Sequence, residues 1–332
     1  MYGYVRLILS MLVVMGHVAY QFPNYNQAVS AVVIFFLLAG FVTQKLLIKI
    51  NYDWKKFYAE RFLRIYPYFW FVTALYFVVL GFLRYDDFYF SWKNIFANAS
   101  ILPLNFIGHF DMASFKSGVH AGQILNGPSW SLSLELQAYL VLPFILKKST
   151  AKLVAGLASF LIFILANIFS AHPAFLGFYT LPGMLFCFII GGYISSSDLN
   201  ETKSMRWVGL IYLGILASSI LMGIFSDFTK YFTKDVFIGL LIGIPLVVII
   251  KQMKIHNVVG DRLAGNLSYG IYISHTLVTL VLAHYNVEQR LGSHFLYLLG
   301  VLIPTFAISL LATAIVDRSL EPIRFKMTKT PQ

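Results

Sequence analysis

The chain has 332 residues, of which 58% are hydrophobic and only 12% charged, and Lys and Arg outnumber Asp and Glu by 11. Soluble domains carry about 25% charged residues, so this composition excludes a water-soluble globule for want of polar surface. In a soluble protein the positive balance would suggest nucleic acid. Here the cations sit between apolar runs, where topology and lipid headgroups account for them, so membrane lipids are expected as partners and nucleic acid is not.

Apolar runs of about 17–25 residues, enough to cross a roughly 30 Å hydrocarbon core, recur along the whole chain. Ten spans are read, at 3–22, 28–48, 65–83, 129–147, 152–170, 174–196, 207–225, 235–250, 264–284 and 295–316. The first carries Arg6 and His17 and lacks a small-residue cleavage site, so it reads as a retained span. With the N-terminus inside, 19 of the 25 Lys and Arg residues fall on the cytoplasmic side and 6 on the other, which sets N-in/C-in. The expected fold is an all-α polytopic transmembrane helix bundle, one domain over 1–332. Its longest connection, 84–128, lies outside and holds a re-entrant or interfacial segment at 91–107. Prolines 67, 143 and 182 are expected at or near span ends. Cys187, in an apolar run, can form no intrachain disulfide and reads as a small buried hydrophobe.

Ionisable groups inside apolar spans mark candidate chemistry. His17 follows Arg6 by eleven positions, about 16 Å along a helix and about 20° from the same azimuth, with Ser10 on that stripe. A buried neutral imidazole there can accept a proton, or simply bond a neighbouring helix. Glu135 lies at a similar depth in GPSWSLSLELQAYL, flanked at i−4 and i+4 by Ser131 and Tyr139. It is expected beside His17, orienting the imidazole or positioning a hydroxyl substrate. Ser268, Tyr272, His275 and Thr279 form a third polar stripe. In the basic segment KKFYAERFLRIYP, Arg61 and Arg64 stand one helical turn apart. They either anchor topology or bind phosphate bidentately. His109, His120, His172, His256, His284 and His294 show no metal-ligand spacing, so no metal site is expected.

Six pieces of the chain, in order, resemble the acyltransferase-3 family of bacterial membrane O-acyltransferases. They are Arg6 to His17, IFFLLAGFV at 34–42, FYAERFLRIYP at 57–67, WSLSLELQAY at 130–139, NLSYGIYISH at 266–275 and LEPIR at 320–324. The resemblance implies transfer of an acyl group, usually acetyl, from cytoplasmic acyl-CoA to a hydroxyl of an extracytoplasmic glycan or lipid-linked saccharide. It implies a multi-pass protein of the bacterial inner membrane, with no permanently bound cofactor. By the same resemblance His17 is the essential histidine with Arg6 as partner, and Arg61 and Arg64 serve the CoA donor. Trp130 and Glu135 match the WSL-x-x-E element, and Ser268, Tyr269 and His275 the late SYG-type element. Three positions depart from the family pattern: Gly3 replaces an aspartate, Ala39 a serine, and Glu60 a frequent arginine. A transporter or flippase for a sugar-containing substrate, or a degenerate non-catalytic family member, are the rival readings.

The charge asymmetry predicts sidedness directly. In a Cys187→Ala background, a cysteine at Lys93 should react with an impermeant maleimide added to intact cells, and one at Lys203 only after permeabilisation.

Overall fold

The computed structural model describes residues 2–18, 22–83, 88–89, 91–106, 113–115, 123–170, 172, 174–199, 201–225, 232–253 and 258–327. Among these residues the regular structure is helical, as a lipid-spanning chain requires, because helices satisfy their backbone groups internally. The helices are α1 Tyr2–His17, α2 Gln27–Lys49, α3 Trp54–Phe82, α4 Trp92–Ser100, α5 Ser129–Ile145, α6 Ser149–Phe169 and α7 Leu181–Ser196. They continue with α8 Thr202–Phe225, α9 Thr233–Gln252, α10 Val258–His284, α11 Val287–Leu291, α12 His294–Ala312 and α13 Arg318–Met327.

Seven of the described helical stretches are long and apolar enough to cross a membrane. The spans read at 3–22, 129–147 and 174–196 correspond instead to the shorter α1, α5 and α7, of 16, 17 and 16 residues. Thr180 is extended ahead of α7, and a π-helical turn at Phe175–Tyr179 takes up the residues before it. The third span begins eleven residues earlier than its apolar pattern suggests. Asp53 caps it by accepting from the backbone N–H groups of Lys55 and Lys56, at 3.0 and 3.1 Å. The basic segment is therefore the first half of α3, and Pro67 lies inside the helix rather than at its end. Pro143 also lies within α5, whereas Pro182 sits at the start of α7. At the other end of the chain, α12 runs through a π-helical turn at Thr313–Asp317 into α13.

α2 forms the centre, packed by α1, α7 and α9. Its close approach to α7 depends on two glycines. A side chain at Gly40 would strike the backbone of Phe188, and one at Gly191 the backbone of Leu37. α1 lies along α10, and α10 along α12. α6 and α8 are peripheral, with many exposed leucine and isoleucine side chains.

The nine-residue α4 has a capping box between Ser91 and Asn94. The turn after it is tied into the bundle by α5. Gln137 donates to the Leu102 carbonyl and to Asn105 Oδ1, both at 2.7 Å, and Asn105 Nδ2 donates to the Tyr179 carbonyl at 3.0 Å. Cys187 is buried and unpaired.

Gly40→Val and Gly191→Val should each cost about 1–3 kcal/mol or more by forcing α2 and α7 apart. Thermal unfolding in detergent should show a lower Tm for both, and the peripheral Gly214→Val, which meets nothing within 4 Å, should be near neutral.

Candidate active site

The start of α1 is fixed by a carboxylate from α10. Asp261 Oδ1 accepts from the backbone N–H groups of Gly3 and Tyr4 at 3.0 and 3.4 Å, placing negative charge at a helix N-terminus where the dipole favours it. A Cβ at Gly3 would collide with the Asp261 backbone. The aspartate that the resemblance leads one to expect at position 3 is thus matched by a carboxylate reaching across from α10.

Three cavities adjoin around Arg6. The first, about 380 Å³, opens among the starts of α1 and α10, the first half of α3, and α13; Arg6, Glu60, Arg64, Asp261, Arg262 and Arg324 are on its wall. Next comes an inner pocket of about 30 Å³ walled by Arg6, Arg61, Arg64, Glu135, Tyr139 and Tyr269. Arg6 and Glu135 continue into another of about 30 Å³, with Phe35, Ser131, Ser268 and Tyr272. Arg6 lines all three. The two inner pockets each have room for about two waters.

The arginines of this track differ sharply in their surroundings. Arg61 is 5% exposed. Its Nε lies 3.1 Å from Glu60, and its guanidinium stands 5.5 and 5.1 Å from the rings of Phe57 and Tyr139. Glu60, 6% exposed, also receives Arg324 at 3.3 Å, and Arg324 lies 3.8 Å from Asp317. Arg64, one turn on, is half-buried and has no hydrogen bond or ion pair among the described residues. Arg61 and Arg64 are therefore not an equivalent phosphate-binding pair, because burial commits Arg61 to Glu60. The glutamate that departs from the family pattern is what balances it.

Glu135 is not beside His17. It is half-buried, accepts a hydrogen bond from Tyr139 one turn later, and faces Arg6 and Arg61 across the inner pockets. Ser131, expected to share its face, lines the second inner pocket with it and pairs its hydroxyl with that of Tyr272 at 2.5 Å. Ser10 is fully buried, bonds the Leu7 carbonyl at 2.8 Å and lines none of the three cavities. Trp130 packs on Phe178 and Tyr179, with ring centroids 4.9 and 4.5 Å away. Tyr269 donates to the Ile65 carbonyl at 3.2 Å, holding α10 to α3.

α1 ends at His17, so the imidazole is exposed at the helix terminus rather than five residues inside it. Its neighbour is His275, with ring centroids 5.1 Å apart. His17 Nδ1 lies 2.8 Å from the Val13 carbonyl, which can only accept; Nδ1 therefore carries the proton and Nε2 the lone pair. Of the remaining histidines, His294 lies 3.8 Å from Glu288, and His109, His120 and His256 are outside the described residues. Among the described residues no group of three or more His, Cys, Asp or Glu side chains could hold a metal ion.

The order of these elements along the chain is decisive when set against known families. The acyltransferase domain model matches residues 3–314, from the start of α1 to the π-helical turn after α12. The chain belongs to the acyltransferase-3 family. An uncharacterized protein of Aquifex aeolicus (strain VF5) is 31% identical over 204 residues, covering 61% of this chain and 90% of that protein. No solved structure matches. Family membership and the apolar helices together indicate a multi-pass membrane acyltransferase.

Asp261, Asp317 and the pairing role of Arg324 escaped the sequence reading. Their signals were faint: an acid in the first turn of α10, and LEPIR, where Arg324 looked like a topological anchor. Removing Glu60 tests the ion cluster. Glu60→Ala strands the buried Arg61 and should cost about 3–5 kcal/mol, read as a lowered Tm in detergent, with Glu60→Gln less damaging.

Proposed function

We propose that this acyltransferase moves an acyl group, acetyl by preference, from cytoplasmic acyl-CoA to a hydroxyl of an extracytoplasmic glycan or lipid-linked saccharide. The observation that carries the reading is the set of three adjoining cavities that share Arg6. It starts at a cavity rich in arginine and runs past Glu135 to Tyr272, whose ring centroid lies 6.4 Å from that of His275, next to His17. The charge distribution of the sequence favours placing the arginine-rich end at the cytoplasm, the side from which acyl-CoA comes.

Arg64 is the donor's first anchor, since its guanidinium has no carboxylate to give up. The pantetheine arm enters the inner pockets, and Arg6, common to all three cavities, must shift to admit it. Glu135 balances Arg6 and Arg61 in that passage, and Tyr139 holds the carboxylate in place. His17 Nε2, left free by the bond from Nδ1 to Val13, takes the proton of the acceptor hydroxyl. The hydroxyl oxygen then forms its bond to the acyl carbon, the carbon–sulfur bond breaks with its electron pair going to sulfur, and the thiolate takes the proton back from His17 Nε2 to leave as CoA thiol.

The test is release of CoA thiol from acetyl-CoA by membrane vesicles containing the native acceptor. His17→Ala should lower turnover by about 100-fold or more at equal protein level. Arg64→Ala should raise KM for acetyl-CoA with little change in kcat. Undiminished turnover in His17→Ala would remove His17 from the reaction, and an unchanged KM in Arg64→Ala would remove that anchor.

A further inference from the structure

The outer cavity and the first inner pocket meet at a neck. Among the described residues, Arg6, Arg64, Gly265 and Asn266 alone line both, Arg6 from α1, Arg64 from α3 and the other two from α10. Gly265 leaves room there, since an added Cβ would meet only the Cα of Gly3 within 4 Å, at 3.5 Å.

The hydrogen-bonding groups of this neck are unusual for what they leave unmet. Arg6 Nε is buried and has no partner, although buried polar atoms are almost always satisfied. Asn266 is half-buried and has no hydrogen bond among the described residues. Arginine can only donate, so Asn266 Oδ1 is the side-chain acceptor of the neck, and nothing in the protein uses it. The carboxylates on the two walls are already engaged. Glu60 receives Arg61 and Arg324, Glu321 receives Arg262, and Asp317 lies 3.8 Å from Arg324. Asp261 accepts from the backbone N–H of Gly3, and Glu135 from the Tyr139 hydroxyl. The backbone carbonyls of Gly265 and Asn266 lie inside α10 and serve its own ladder.

A free donor and a free acceptor thus face one passage from two different helices. An alkyl chain there would leave both unmet, and a phosphate would leave Oδ1 facing negative oxygen. A secondary amide matches both, because its carbonyl accepts, its N–H donates, and in the trans form the two point to opposite edges.

We propose that Asn266 Oδ1 accepts a hydrogen bond from an amide N–H of the donor's pantetheine arm at this neck, while Arg6 donates to the carbonyl of the same amide. The inference deepens the acyl-transfer reading above and rests on it. Asn266 takes no part in bond making or breaking. It makes the neck selective for thioesters whose arm carries an amide, since any other arm strands buried polar groups.

The test uses membrane vesicles carrying the native acceptor and reads acceptor-dependent thiol release. The donors are acetyl-CoA and two analogues, each with one pantetheine amide N–H replaced by an ester oxygen. Wild type should prefer the amide about tenfold in kcat/KM at one of the two positions. Asn266→Leu, similar in volume but without the carboxamide, and Asn266→Ala should both lose most of that preference, to about threefold or less. The preference is a ratio within one preparation, so the amount of folded protein cancels. The contact is overturned if wild type uses all three donors equally well, or if either variant keeps the full wild-type preference. Wild type that releases no thiol even from acetyl-CoA defeats the acyl-transfer reading beneath it.

Discussion

A guanidinium inside an apolar helix bundle persists only where other groups compensate its charge, and Arg6 is that guanidinium here. The compensation comes from elsewhere in the chain. Glu135 on α5 faces it, and the ring of Phe35 on α2 lies 5.9 Å away. α1, α2 and α5 must converge for the charge to be tolerated, and once they do they enclose the pockets that Arg6 lines. The neighbouring cations follow the same rule. Arg61 is matched by Glu60, and Arg324 by Glu60 and Asp317, so the carboxylates decide which arginines are committed to the fold. Arg64 is left over, with no hydrogen bond or ion pair among the described residues.

The pairing of α1 with α10 sets both ends of the track. At one end Asp261 accepts from the first backbone N–H groups of α1, and at the other His275 meets His17. Gly3 and His17 are fourteen residues apart, about 21 Å along a helix, so a rigid spacer separates the arginine-rich cavity from the imidazoles. In each imidazole the helix itself supplies the carbonyl that fixes the tautomer. Both rings are therefore oriented by backbone geometry rather than by a carboxylate, and Glu135 faces the arginines instead.

Local reasoning erred where a long side chain or a helix boundary decided the outcome. Similar depths are expected for Glu135 and His17, but packing sets Glu135 in the pockets of Arg6, eleven residues before His17 on α1. Ser10 shares the stripe of Arg6 and His17 and still bonds its own helix carbonyl, because a hydroxyl in an apolar segment finds its nearest acceptor first. Arg61 and Arg64 look equivalent at a spacing of three residues. Their roles diverge because only one meets a buried glutamate. α3 starts eleven residues early because Asp53 is a strong cap and the charged residues after it are good helix formers, even though they are not apolar.

The sequence by itself determined that the chain is a helical membrane protein and which family it belongs to. Apolar length, charge asymmetry and short ordered motifs are local properties, and the membrane admits few structures that satisfy them. Tertiary structure alone decided the partners: His275 rather than Glu135 beside His17, Asp261 at the head of α1, and Arg324 on Glu60. Each of these joins residues more than a hundred positions apart, and helix periodicity carries no information about which faces will meet. That choice is made by the packing of small residues such as Gly3, Gly40 and Gly191, where backbones come close enough to fix one arrangement.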